Sequence, residues 1–365
     1  MSKKLVTRYA LMGACVVPAA LLCTASLAAQ DAPEPAATVE RNDAAHTVIV
    51  TIGPLTIPVT GDHHGAHAAG GKMAGHDSPF FHHEWPVEGW LYGFSIELYD
   101  STGTRLPRKH LHHVSVVNLS RRQLVYPMFE RILGAGQEQD AFEAPKTVGV
   151  RLSPGMEFGT FVGWHNDTGA PIVGARLVLR MKWMPPNMNP PPTDVMPVWL
   201  DVNNRAGQSD SYDLPPGLSS RSFEFSVPVS GRVLAAGGHL HDYANYVRVE
   251  DVESGKVLFS ITPKLTADRK LIEIPRKIFG ARGEGIRMRS DRRYRIVAEY
   301  DSPVADTIPA GAMALIAMLY KPDDFAAWPQ LEMDHPELQK DLANLETMGW
   351  QTAMEGEHNH EAHQP

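Results

Sequence analysis

From residue 86 to 325 the chain is a succession of short β-branched runs punctuated by Gly and Pro, with no helical pattern between them. The first series is "GWLYGFSIELYD", "HHVSVVNL", "EFGTFVGWHND", "GARLVLRMKWM" and "PVWLDVN", with turns at "STGT", "SPGM" and "NDTGA". The second is "RSFEFSVPVSG", "YVRVEDV", "GKVLFSIT", "LIEIP", "RRYRIVAEYD" and "AMALIAMLY". This spacing predicts an all-β chain with two antiparallel, jelly-roll-like β-sandwiches. "NRAGQSDSYDLPPGLSS" (204–220) is the best boundary, which sets the sandwiches at 86–205 and 206–325. "MPPNMNPPPTDVMP" (184–197) reads as a polyproline-type loop. Met181, Met184, Met188 and Met196 surround it and read as packing residues rather than a soft metal path. In the last segment, 326–365, "DHPELQKDLANLETMGW" reads as a short helix. Pro336 suits its first turn, and Leu338, Leu342, Leu345 and Met348 share one face.

The 365 residues suffice for two cores. Residues 1–28 have the form of an export signal: Lys3, Lys4 and Arg8, then the apolar "ALMGACVVPAALL", then the small-residue site "SLA". The expected location is therefore periplasmic or extracellular, with no membrane attachment after cleavage. Both cysteines, Cys15 and Cys23, fall inside that segment, so the exported chain relies on its cores rather than on disulfides. The net charge of −8 becomes more acidic once the three basic residues leave, and this excludes nucleic acid as a partner. Residues 29–85 read as a lead-in with a strand, "HTVIVTIGPLTIPVT" (46–60), and a Gly-rich segment bearing His63, His64, His67, Met73 and His76. That segment and the His tail (358–363) suit metal capture as well as they suit solubilising low-complexity sequence. "PFFHHEWP", with His82 and His83, leads into the first sandwich.

The 17 histidines are clustered, which raises the expectation of metal. In "GGHLHDYANYVRVED" (237–251), His239 and His241 are i and i+2 on a strand and share a face. Gly237 and Gly238 leave room beside them. The plain alternative is a polar, solvated strand face. "HLHH" (110–113) offers two pairings: His110 with His112 by the i, i+2 rule, or adjacent His112 and His113 where a strand begins or is kinked. His165 ends an apolar strand, and Met313 opens "MALIAMLYKP". Alone, each is a packing residue; together, a His/Met donor set selects copper, especially Cu(I).

The order of these pieces resembles the copper type II, ascorbate-dependent monooxygenases, the family of peptidylglycine α-hydroxylating monooxygenase and dopamine β-monooxygenase. The likeness runs over roughly residues 86–325 and includes "LPPG" (214–217) and "MALIAMLYKP". It implies two β-sandwiches, each carrying one copper. By resemblance, the first copper belongs to His112, His113 and His165, and the second to His239, His241 and Met313. The resemblance also favours His112/His113 over His110/His112. It implies O2-dependent hydroxylation of a C–H bond in a small-molecule substrate, with an external, ascorbate-like reductant. The Met313 site would be the oxygen-activating, catalytic centre, and the three-His site would supply an electron.

The chain also departs from the family. The exported part has no cysteine where the family is disulfide-rich. Gly163 stands where the family carries a glutamine linked to electron transfer. Gly237 and Leu315 replace an arginine and an asparagine of the peptide-hydroxylating member, so peptide amidation is rejected. Asp242 and Asn166, next to His241 and His165, are candidates to orient imidazoles or plain turn residues, and Tyr320 reads as packing. Competing readings are a copper-storage or delivery protein without turnover, zinc at the three-His site, and a β-sandwich binding module with incidental histidines.

Overall fold

The computed structural model describes residues 34–59, 79–137, 139, 141–203, 210–280 and 284–346. The expected export segment (1–28), the residues bearing His63, His64, His67, Met73 and His76, Met348 and the His tail lie outside them. Among the described residues, eleven strands build the first sandwich: β1 (Ala36–Asn42), β2 (Thr47–Ile57), β3 (Phe81–Glu84), β4 (Gly89–Tyr99), β5 (Leu111–Arg122), β6 (Phe129–Gly136), β7 (Ala141–Glu143), β8 (Val148–Leu152), β9 (Glu157–Trp164), β10 (Ile172–Met184) and β11 (Thr193–Asp194). One sheet runs β1-β2-β10-β4-β8-β11, with β7 on β4, and the facing sheet runs β3-β9-β5-β6.

Among the described residues, thirteen strands belong to the second: β12 (Met196–Asp201), β13 (Tyr212–Leu214), β14 (Gly217–Phe225), β15 (Gly231–Leu240), β16 (Ala244–Asp251), β17 (Val257–Ile261), β18 (Lys264–Leu265), β19 (Leu271–Glu273), β20 (Lys277–Ile278), β21 (Ile286–Met288), β22 (Tyr294–Ser302), β23 (Ile308–Ala312) and β24 (Ala314–Pro322). Its sheets run β12-β24-β15-β20, with β21 on β15, and β14-β22-β16-β17. The pairings are antiparallel apart from β11 with β8. Among the described residues one α-helix, α1 (Pro336–Glu346), follows. No helix among the described residues is long and apolar enough to cross a membrane.

Period-2 alternation decides what each sheet buries. Along β9, Phe158, Val162 and Trp164 enter the first core with Val114 and Val116 of β5. The alternate residues of β9, Gly159, Phe161 and Gly163, therefore line the opposite face of that sheet. There, Leu338 and Leu345 of α1 pack on Phe80, Val117, Leu119 and Phe129. The helix is also tied down by charge: Arg131 donates to both carboxylate oxygens of buried Asp341, at 2.7 and 2.6 Å. The methionines around the Pro loop are packing residues; Met181 lies in the first core and Met196 in the second.

The strand series places the seam at 205/206 and the 46–60 strand in a lead-in; pairing places both differently. β2 is an interior strand of the first sheet, between β1 and β10. β12 pairs along its whole length with β24, so the chain crosses to the second sandwich before residue 196. The crossing is packed. Leu124 joins the second core and Leu234 the first. The Trp199 indole lies against the Gly134 backbone, where an added Cβ would stand 2.8 Å from the ring. The Asp201 N–H donates to the Tyr126 hydroxyl at 3.1 Å. Arg276 of the second sandwich donates to the Ala141 carbonyl and lies 5.1 Å over the Phe142 ring.

His83 on β3 points inward against the Phe158 ring, 5.8 Å away. Burial lowers its pKa to about 4, with the nearby Phe81 backbone opposing only in part. The unfolded chain binds this proton near pH 6.5 and the folded chain does not, so stability rises with pH across that window. Wild type should lose on the order of 3 kcal/mol relative to His83→Leu between pH 6.5 and pH 4. Denaturant unfolding of both proteins across this range measures it; parallel pH profiles would refute the assignment.

Candidate metal centre

The first pair sits where β5 begins. Arg108–His110 forms a 3₁₀ turn that leads into the strand. The register with β9 slips between Leu111 and His113. Leu111 and Val114 both enter the first core, so two residues rather than one separate successive inward positions. His112 is the additional residue, and His112 and His113 are left facing the same side. Their Nδ1 atoms are 2.9 Å apart. Two nitrogens each about 2.0–2.1 Å from one ion, at an angle between about 90° and 110°, are separated by roughly 2.8–3.4 Å. The pair therefore has the span of a chelate.

His110 does something else. It is buried, its Nδ1 bonds the His165 carbonyl at 3.0 Å, and its own carbonyl accepts the His165 N–H at 3.0 Å. His110 thus fixes the backbone of His165 and does not pair with His112. Gly163 lies opposite His113 in the ladder, and its missing side chain is where the His113 ring lies. A Cβ at 163 would stand 2.5–2.8 Å from three ring atoms. The space beside Gly163 is occupied by an imidazole from the neighbouring strand. His165 follows the end of β9, the strand paired with β5; among the described residues no three His, Cys, Asp or Glu side chains gather in a metal-holding group.

The second pair lies at the end of β15. His239 pairs with Leu315 and Leu240 with Ala314, so His241 and Met313 come opposite each other one step beyond the ladder. Directly opposite residues share a sheet face, which puts Met313 with His239 and His241. The His239 and His241 rings are 5.3 Å apart, edge to face. One hydroxyl holds the two strand ends together. Tyr300, wholly buried in β22, accepts the His241 N–H at 3.2 Å and donates to the Met313 carbonyl. Burial drives its pKa far up, so it stays a donor. The His241 Nδ1 faces the Gly311 carbonyl at 3.3 Å. That bond selects the Nδ1–H tautomer and leaves Nε2 as the lone-pair nitrogen. The room expected beside the pair is at Gly237, where an added Cβ would meet only the Arg276 side chain, at 3.9 Å. Gly238 faces Val247 and Ile261 in the core instead.

The two pairs meet across the seam: the His112 and His241 rings are 6.4 Å apart. Asp210 is within electrostatic reach of both His113 and His239. Asp201, beside Leu315 across the sheet, is held well above the usual carboxylate range by burial and then by Asp210. The neighbouring residues weighed as orienting groups serve loops. Asp242 accepts from the Leu271 N–H and Lys270, and fully buried Asn166 bonds Ile57, Thr168 and Ala170. Tyr320 donates to the Val229 carbonyl inside the second core. Sequence reading missed Tyr300 and Asp210. The alternation of "YRIVAEY" marks Tyr300 as inward-facing, but nothing local marks its two bonds.

No protein-family model matches the chain, and none of the curated proteins does. Among solved structures, the major capsid protein of mavirus aligns with 87% of this chain and 94% of its own, at 10% identity and a TM-score of 0.22.

Two substitutions test the local geometry without metal. Gly163→Ala should destabilise the protein by about 1–3 kcal/mol through overpacking against His113. Most of that loss should disappear in the Gly163→Ala/His113→Ala double variant; additive losses would show that the ring is not there. Tyr300→Phe leaves the part-buried His241 N–H and Met313 carbonyl without their shared partner and should cost about 1–3 kcal/mol. An unchanged unfolding midpoint would remove Tyr300 from its bridging role.

Proposed function

We propose that the chain is an exported, two-copper monooxygenase-like protein that hydroxylates a C–H bond of a small molecule at the expense of O2 and an external reductant. The observation that carries this reading is the convergence of His112 with His113 and of His239 with His241 beside Met313, each on its own sandwich. The donor types fit copper: paired imidazoles with the span of a chelate, and a thioether opposite the second pair. His112 and His113 would hold one ion, with His165 as the third ligand only by the resemblance; His239, His241 and Met313 would hold the other. Bound copper supplies one-electron chemistry toward O2, giving hydroxylated substrate and water. The chain's own work is positional. Tyr300 fixes the His241 and Met313 backbones, Gly311 sets the His241 tautomer, and the bulge at His112 turns two adjacent rings to one side.

A second reading is copper binding without turnover, as in storage or delivery. It is favoured by Gly163, which carries no side chain where the resembled family has its relay glutamine, the space beside it being filled by the His113 ring.

The decisive measurement is metal analysis of the full chain with His63, His64, His67, His76, His358, His360 and His363 replaced by Asn. It should retain about two copper per chain, and absence of bound metal overturns both readings. Met313→Leu should weaken Cu(I) binding at the second pair and leave the first unchanged; an unaltered Cu(I) affinity would remove Met313 from the site. O2 uptake with ascorbate that responds to a substrate separates turnover from storage.

A further inference from the structure

After β24 the chain leaves the second sandwich and returns to the first. Trp328 lies in the second core, and its indole N–H donates to the Arg122 carbonyl of β5 at 3.1 Å. Beyond it, α1 lies on the outer face of the β3-β9-β5-β6 sheet, where Leu338 and Leu345 pack on Phe80, Val117, Leu119 and Phe129. That face leads to the first imidazole pair. Phe161 packs against the same cluster, stacks on Phe80 at 6.4 Å and meets the His113 ring edge-on at 6.0 Å. One charged clasp holds the helix. Arg131 donates to both carboxylate oxygens of Asp341, and the Phe129 N–H donates to one of them at 3.0 Å. Asp210 is within electrostatic reach of both members of this clasp, as it is of His113 and His239.

We propose that α1 is a releasable cover over the flank of the first imidazole pair, latched by Arg131 and Asp341, and that its opening bares Phe161 and His113. The inference goes beyond the copper reading and does not depend on it. α1 has 11 residues, a length at which an isolated helix is marginal in water. It is helical because of what it lies on, and its apolar stripe is narrow: Leu338 and Leu345 are buried and Leu342 only partly so. The segment therefore docks and melts as one unit rather than by degrees. Breaking a buried ion pair ordinarily strands the remaining charge. Here Asp210 faces Arg131 already, so a carboxylate is at hand for the guanidinium when Asp341 leaves. The latch is thus firm when closed, and its open state keeps a counter-ion.

The test is hydrogen exchange of the full chain read by mass spectrometry, paired with diethyl pyrocarbonate labelling of its histidines in the presence of EDTA. In the parent chain, residues 336–346 should exchange well before β5 and β9. Asp341→Asn should speed that exchange on the order of tenfold and raise the labelling rate of His113 with it. His83, inside the first core, should stay unlabelled, which separates opening of α1 from general loosening. Leu338→Ala leaves the latch intact and thins the apolar contact; it should move both readouts the same way. Asp210→Asn should slow the exchange of α1, because the open state loses its counter-ion. Exchange of 336–346 only together with β5 and β9 would overturn the releasable helix. Faster α1 exchange with His113 labelled at the parent rate would overturn the cover, and an unchanged rate in Asp210→Asn would overturn the hand-over of Arg131.

Discussion

A β-strand offers only every second side chain to one face, and the candidate centre depends on how this chain keeps that rule at one place and breaks it at another. At β15 it is kept: Gly237, His239 and His241 share a face and Gly238 and Leu240 turn to the core. At β5 it is broken: one additional residue between Leu111 and Val114 turns His112 and His113 to the same side. A bulge in mid-strand would displace the inward residues of the whole ladder. At the strand's first pairs it leaves Val114 and Val116 in register and confines the irregularity to the edge of the core. The 3₁₀ turn at Arg108–His110 takes up the change of direction, and buried His110 anchors it by clasping the His165 backbone.

Close approach at this centre is made by missing side chains as much as by present ones. Gly134 and Gly163 lie on the same sheet, and each leaves a place that an aromatic ring fills: Trp199 from the second sandwich in one case, His113 in the other. The first contact sets how near the two sandwiches stand, and the second sets where the first imidazole pair lies on its sheet. Together they fix the separation between His112 and His241. The second pair is held by polar bonding instead. Tyr300 joins the ends of β15 and β24 through one hydroxyl, and a buried hydroxyl serving two backbone groups has a well-defined position because moving it leaves both unpaired.

The all-β architecture was legible because the strands announce themselves by β-branched residues and Gly/Pro turns. The exceptions are informative. β15 carries three glycines and two alanines in "GRVLAAGGHL", so propensity argues against it, and packing against β24 decides in its favour. The seam was displaced because "NRAGQSDSYDLPPGLSS" has the composition of a linker, whereas the chain crosses between Asp194, on β11 of the first sandwich, and Met196, on β12 of the second. Which sheet β12 joins depends on β24, more than a hundred residues later, and composition does not carry that. The same limit applies to the centre. The i, i+2 rule makes His239/His241 readable from spacing. It cannot choose between the two pairings of "HLHH", because the choice is made by the turn that removes His110 from the strand.

What no local pattern contains is the meeting of the two pairs. Each lies on a different sandwich, and their separation is set by residues with no metal-binding character: Trp199, Gly134, Tyr126 and Arg276. The seam thus places the pairs, as the strands place the imidazoles. A change in packing of about an ångström at Gly134 would leave every candidate ligand in place on its own sheet, yet alter the contact between the His112 and His241 rings, which falls off over that length. How the pairs meet is therefore set less by the donor atoms, which each sandwich supplies separately, than by how firmly two apolar cores are joined through Leu124 and Leu234.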